Sequence, residues 1–170
     1  MSLLAPFGPL GVASARTGVS DRPAATARRD AVVEFVVHAL LSDVDVARSV
    51  VPRLEAAVDE SIVVTGPSMH TTSRTELIAE LLEGDDAITD VDARITRTST
   101  FGDSVFAEWS VRGRFTNAAF LDDDLLVEPT GNLVQACGMM VLDFTGDRVG
   151  RVQCFYDRSA MVEQVLRARA

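Results

Sequence analysis

The stretch Leu133-Val-Gln-Ala-Cys-Gly-Met-Met-Val-Leu-Asp-Phe-Thr-Gly-Asp-Arg-Val-Gly-Arg-Val-Gln-Cys-Phe-Tyr-Asp157 decides the fold. Two β-favouring runs flank Gly146-Asp147, and a Gly–Asp pair between such runs is a hairpin signal. The first run is too apolar for a sheet left open on both faces, so other elements must cover one of them. With a two-residue turn, Cys137 stands opposite Tyr156 and Met139 opposite Cys154. Gln135, Cys137, Met139, Val141, Val152, Cys154 and Tyr156 then share the covered face. A one-residue bulge exchanges that set for its neighbours, because side chains alternate with a period of two. On the unbulged register the two cysteines are diagonal neighbours, roughly 7–8 Å apart, too far for an unstrained disulfide.

Upstream, Ser104–Thr116 has the clearest alternation in the chain. Val105, Ala107, Trp109, Val111, Gly113 and Phe115 point one way, and Phe106, Glu108, Ser110, Arg112 and Arg114 the other. A strand at 90–100 precedes it across Gly102-Asp103. Between it and the hairpin, 117–132 forms a long loop carrying Asp122-Asp123-Asp124, which lacks the spaced ligands and Gly of a calcium loop.

The first half of the chain is helical in period. Val32, Phe35, Val36, Ala39 and Leu40 share a face from Thr26 onward, and a second helix covers 46–58. Ser61–Thr65 is a short strand stopped by Gly66-Pro67, and the loop 68–72 leads into a third helix. That helix opens on the capping-box spacing Ser73…Glu76 and stops near Gly84. A last helix over 158–169 takes Asp157 as N-cap. Residues 1–25, rich in Pro, Gly, Ala and Ser, have no period and read as a flexible arm ahead of a single domain at 26–170.

The 170 residues carry a formal charge of −9, and this argues against nucleic acid or an anionic membrane as partner. All 16 basic residues are Arg, so lysine-based Schiff-base chemistry is excluded. No apolar run approaches the ~20 residues of a membrane span. Met1–Ala15 lacks a basic start and is broken by Pro6, Gly8, Pro9 and Gly11, unlike a secretory signal. A cytoplasmic location follows as the expectation. Two cysteines make neither a disulfide framework nor a zinc site, and His38 and His70 have no third ligand nearby, so no metal and no cofactor are expected.

Helices followed by an antiparallel meander give an α+β layout with helices on one sheet face. This order resembles the nuclear transport factor 2-like (cystatin-like) superfamily, a cone of helices wrapped by a curved antiparallel sheet around a pocket. Glu108-Trp109-Ser110-Val111-Arg112-Gly113, Pro129-Thr130-Gly131, Gly146-Asp147-Arg148-Val149 and Phe155-Tyr156-Asp157 make the chain most similar to the SnoaL-like branch of polyketide and ester cyclases. The resemblance implies a small apolar ligand of polyketide or terpenoid type in a hydrophobic pocket, and a homodimer. It implies cyclase, isomerase or hydratase chemistry by acid/base catalysis without metal, or a non-catalytic binding or dimerisation module with a degenerate site. The family's catalytic carboxylate, three residues before the strand-ending Asp, falls here on Cys154. The Arg and Asp of the hydrolase relatives fall on Trp109 and Val111. The Tyr and the pre-proline Asp of the steroid isomerases fall on Phe35 and Gly66.

Tyr156 is then the candidate acid, since its hydroxyl can polarise a carbonyl in an apolar pocket. His70, just after Gly66-Pro67, is the candidate proton shuttle at the pocket mouth. Trp109, Cys154, Met139 and Phe35 are the candidate binding residues. Phe106, Met140, Leu142 and Phe155 would face outward, where a second copy of the chain covers them.

Overall fold

The computed structural model describes residues 22–42, 44–83, 87–120 and 126–167. The arm at 1–21, the loop positions Gly84, Asp85 and Asp86, the Asp122–Asp124 run and Arg169 lie outside them.

Helix α1 (Arg22–Leu41) starts four residues before Thr26, the start read from the periodicity. It is followed by α2 (Val44–Ala57), β1 (Val58–Thr65), β2 (His70–Thr71) and α3 (Arg74–Glu83). The second half runs β3 (Ile88–Phe101), β4 (Ser104–Phe115), the ribbon β5 (Ala119–Phe120) and β6 (Leu126–Val127), then β7 (Leu133–Thr145), β8 (Arg148–Tyr156) and α4 (Arg158–Leu166). Asp157 caps α4 by accepting from the Ala160 N–H at 2.9 Å. At α3, the Ser73 Oγ accepts from the Glu76 N–H at 3.2 Å. The Glu76 carboxylate turns back to the N–H and hydroxyl of Thr72, and these bonds hold its pKa below the ordinary carboxylate value.

A six-stranded curved sheet has the order β2-β1-β8-β7-β4-β3. It is mixed, not wholly antiparallel: β1 runs parallel to β8. That pairing joins segments about ninety residues apart through a long connection, which a parallel pair requires. Helix α1 lies against β3 and β4, α2 and α3 against β1, and α4 against β7. The core is built from Val33, Val36 and Val37 of α1, Leu54 of α2, Leu77 of α3, and Val105, Ala107, Trp109, Met140, Leu142 and Val152 of the sheet. A second cluster, Ala87, Phe115, Ala119, Val134 and Val165, lies toward α4.

The hairpin turn is as read: Thr145 pairs with Arg148 around Gly146-Asp147, with Gly146 at φ 64°. One step on, the register slips. Phe144 pairs with Val149 but Asp143 with Arg151, so Gly150 bulges out of the ladder. A Cβ on Gly150 would stand 2.6 Å from the Thr145 Oγ1, so a larger residue there would require the Thr145 side chain to turn away. The bulge moves Tyr156 opposite Gly138 and Cys154 opposite Met140. The covered face of β7 is therefore the set that includes Val134, Met140 and Leu142, and Met139 and Cys137 turn to the other face. Met140 and Leu142, expected outside, are 2% and 0% exposed.

Candidate functional site

Three adjacent strands set the site. Trp109 on β4 stands opposite Gly138 on β7, and Gly138 stands opposite Tyr156 on β8. The missing side chain at Gly138 leaves room for the indole: a Cβ there would come within 2.7 Å of Trp109 Cζ2 and 2.2 Å of the Phe155 carbonyl oxygen. The Trp109 and Tyr156 rings meet edge to face across the glycine, with centroids 5.9 Å apart at 64°. Trp109 is 2% exposed, and its Nε1–H is buried without a hydrogen-bond partner among the described residues.

Beyond these rings is a cavity of about 250 Å³ between the two hydrophobic clusters. Its walls include Leu40 and Leu41 of α1, Val64 of β1, Ile88 of β3, Trp109 and Val111 of β4, Val134, Ala136 and Met140 of β7, Cys154 and Tyr156 of β8, and Met161 of α4. Gly66, Ser68 and Met69, just after β1, complete one side. The parallel pairing of Thr65 with Gln153 brings that segment beside β8. There the Ser68 and Tyr156 hydroxyls are 2.9 Å apart and share a hydrogen bond.

Among the described residues the lining contains no carboxylate and no imidazole. Its one ionised side chain, Arg112, is bridged to Asp92 at 2.8 Å. Arg94 and Arg112 both bond to Asp92, with Arg94 the larger influence, and they hold its carboxyl below the ordinary range. Burial pushes the Cys154 thiol up to about 11, so it is a neutral, weakly polar wall group at physiological pH. Among the described residues no group of three or more His, Cys, Asp or Glu is arranged to hold a metal ion.

Of the residues singled out from the sequence, Tyr156, Trp109 and Cys154 meet in this cavity. Met139 does not: the Gly150 bulge turns it outward, and Met140 takes its place. Phe35 packs on the main core under the Arg53 guanidinium, 4.3 Å from its ring centroid, and does not line the cavity. His70 is exposed on β2, paired with Thr65, and is also absent from the lining. It is a strand residue, where a loop was expected. Cys137 and Cys154 are free thiols on opposite faces of the hairpin. Ser68 was not singled out, because its partner is 88 residues away across a parallel pairing. Met140 could have been found from the isolated Gly150, since a glycine inside a strand pattern signals a bulge.

Curved sheet and covering helices together define the nuclear transport factor 2-like fold. Solved structures share that fold at low identity. A candidate polyketide cyclase from Acidithiobacillus ferrooxidans superposes with TM-score 0.68 and 14% identity over 84% of this chain and 96% of its own. A nuclear transport factor 2-like protein from Burkholderia pseudomallei gives 0.61 and 14% over 82% and 98%. A limonene-epoxide-hydrolase-like epoxide hydrolase from M. tuberculosis gives 0.58 and 15% over 84% and 92%. No curated protein matches the chain. Residues 36–165 match the SnoaL-like polyketide cyclase family, and the chain belongs to it. Among the described residues no helix is long and apolar enough to cross a membrane.

Proposed function

We propose that this chain holds a small, uncharged, largely apolar molecule of polyketide or terpenoid type, and that Tyr156 hydrogen-bonds its carbonyl oxygen. The observation that carries this reading is the Tyr156–Ser68 hydroxyl pair at 2.9 Å on the wall of a largely apolar cavity. Ser68 can accept the Tyr156 proton's hydrogen bond when the site is empty, and re-orient to support it when a carbonyl arrives. A carboxylate ligand would meet no free cation here, since Arg112 is already paired. In a catalytic form the same contact polarises a carbonyl in cyclase- or isomerase-type chemistry, with Tyr156 as acid. Names of fold relatives, cyclase and epoxide hydrolase among them, support a small-molecule site.

The rival reading, a binding or dimerisation module without turnover, rests on the missing base. Cys154 occupies the position where the family resemblance expects a carboxylate, and its thiol stays protonated. Titration with 1-tetralone, a neutral bicyclic ketone, tests the shared premise: Tyr156→Phe should weaken binding by about fivefold. Unchanged affinity would remove Tyr156 from the reading. Release of a new product in the same experiments would favour the catalytic form.

Homodimerisation through the outer sheet face belongs to the same proposal. Phe106 pairs with Val141, and Met139 with Phe155, on neighbouring strands, and Phe155 is 49% exposed. A second copy covering this patch removes an apolar surface from water. Sedimentation of a monomer at micromolar concentration would contradict it. The two free thiols suit a cytoplasmic location.

A further inference from the structure

Trp109 carries a polar group that the proposed contact with Tyr156 does not use. Its indole Nε1–H is buried, has no hydrogen-bond partner among the described residues, and belongs to a side chain that lines the cavity and is 2% exposed. A buried donor without an acceptor costs on the order of 1–3 kcal/mol, so native structures rarely keep one idle. Gly138 holds the indole in this place: a Cβ there would reach within 2.7 Å of Trp109 Cζ2, beside the nitrogen's end of the ring system.

We infer that the Trp109 Nε1–H is a second recognition donor, so that the cavity selects neutral ligands with two acceptor oxygens over those with one. The first oxygen meets Tyr156 and Ser68 and the second meets the indole. This rests on the reading of the cavity as a ligand site. Ring centroids 5.9 Å apart set the two donor-bearing side chains side by side on the wall of one cavity. Both groups donate, which excludes an amine cation, and with Arg112 paired to Asp92 a buried carboxylate would go uncompensated, so the class is a hydroxy ketone or diketone. The nitrogen is closed to water, and the ligand therefore reaches it with a small rotation of the indole.

Trp109 is the one tryptophan in the chain, so a single indole N–H resonance reports on it directly. The test uses the full chain, labelled with 15N, and three probes of one skeleton: tetralin, 1-tetralone and 4-hydroxy-1-tetralone. The expected order of affinity rises with oxygen count, the indole proton moves downfield only with 4-hydroxy-1-tetralone, and Trp109→Phe removes the advantage of that probe, about fivefold. Equal affinity for the two oxygenated probes with an unmoved indole proton overturns the inference while leaving the Tyr156 contact intact. Failure of all three probes to bind overturns the ligand-site reading and this inference with it. The resonance is read on the unaltered protein, so the test stands even where Trp109→Phe fails to fold.

Discussion

The β7–β8 hairpin is a different object at its two ends. At the turn end it is closed core: Leu142, Val149 and Val152 are fully buried, and Phe144 is 7% exposed beneath the Arg29 guanidinium, 5.1 Å from its ring centroid. Helix α1 pins this end, with Arg29 bonding Asp103 at 2.9 Å and Arg28 bonding Asp147 at 3.1 Å, one on each hairpin turn. At the open end the same two strands carry Val134, Ala136, Met140, Cys154 and Tyr156, and there they wall a cavity. Large aliphatic side chains fill the first region, and in the second the bare Gly138 makes room for the Trp109 indole that lines the cavity. One hairpin thus supplies both the stability of the fold and the space for its ligand.

Substitutions should separate the two ends. Leu142→Ala, at the closed end, is expected to cost about 2–5 kcal/mol, read as a fall in the urea midpoint with an unchanged slope. A loss below about 1 kcal/mol would mean that this end is not core. Gly138→Ala, at the boundary, forces backbone or indole to move and should cost about 1–3 kcal/mol, with a shift in Trp109 fluorescence that Leu142→Ala does not cause.

A smaller effect is expected at Cys154. Its thiol pKa is raised from an ordinary 9.0 to about 11, so the folded chain keeps a proton that the unfolded chain has lost. The contribution of this thiol to stability should therefore be constant below pH 9 and be lost as pH rises from 9 to 11. Cys154→Ala should flatten that alkaline slope, and a slope unchanged in thermal melts would contradict burial of the thiol. The smallest effect belongs to the outer face. Arg97 and Glu108 lie 3.6 Å apart with side chains 69% and 50% exposed, so Arg97→Ala should change stability by less than about 0.5 kcal/mol.

The two ends also differed in how far the sequence disclosed them. The turn at Gly146-Asp147, the alternation of β4 and the Asp157 cap are local patterns, and each is found where the residues placed it. The open end depends on events that are not local. A bulge at Gly150 reverses the faces of β7, exchanging Met139 for Met140, because a one-residue slip inverts every side chain beyond it. The Tyr156–Ser68 contact needs β1 parallel to β8, a pairing that no short-range pattern announces. Residue chemistry suggested His70 for the site and the family resemblance suggested Phe35, but the fold turns His70 to solvent and packs Phe35 into the core. Tyr156, Trp109 and Cys154 fell on the cavity from either view, because the bulge leaves the β8 half of the face unchanged.

The central claim is that the open end binds a neutral carbonyl compound through Tyr156. A crystal of the protein soaked with 1-tetralone tests it most directly. Density is expected in the cavity beside Met140 and Trp109, with the ketone oxygen in hydrogen-bond range, about 2.7–3.0 Å, of the Tyr156 Oη. A cavity closed by its own side chains, or a ketone seated there with its oxygen turned away from Tyr156, would contradict it.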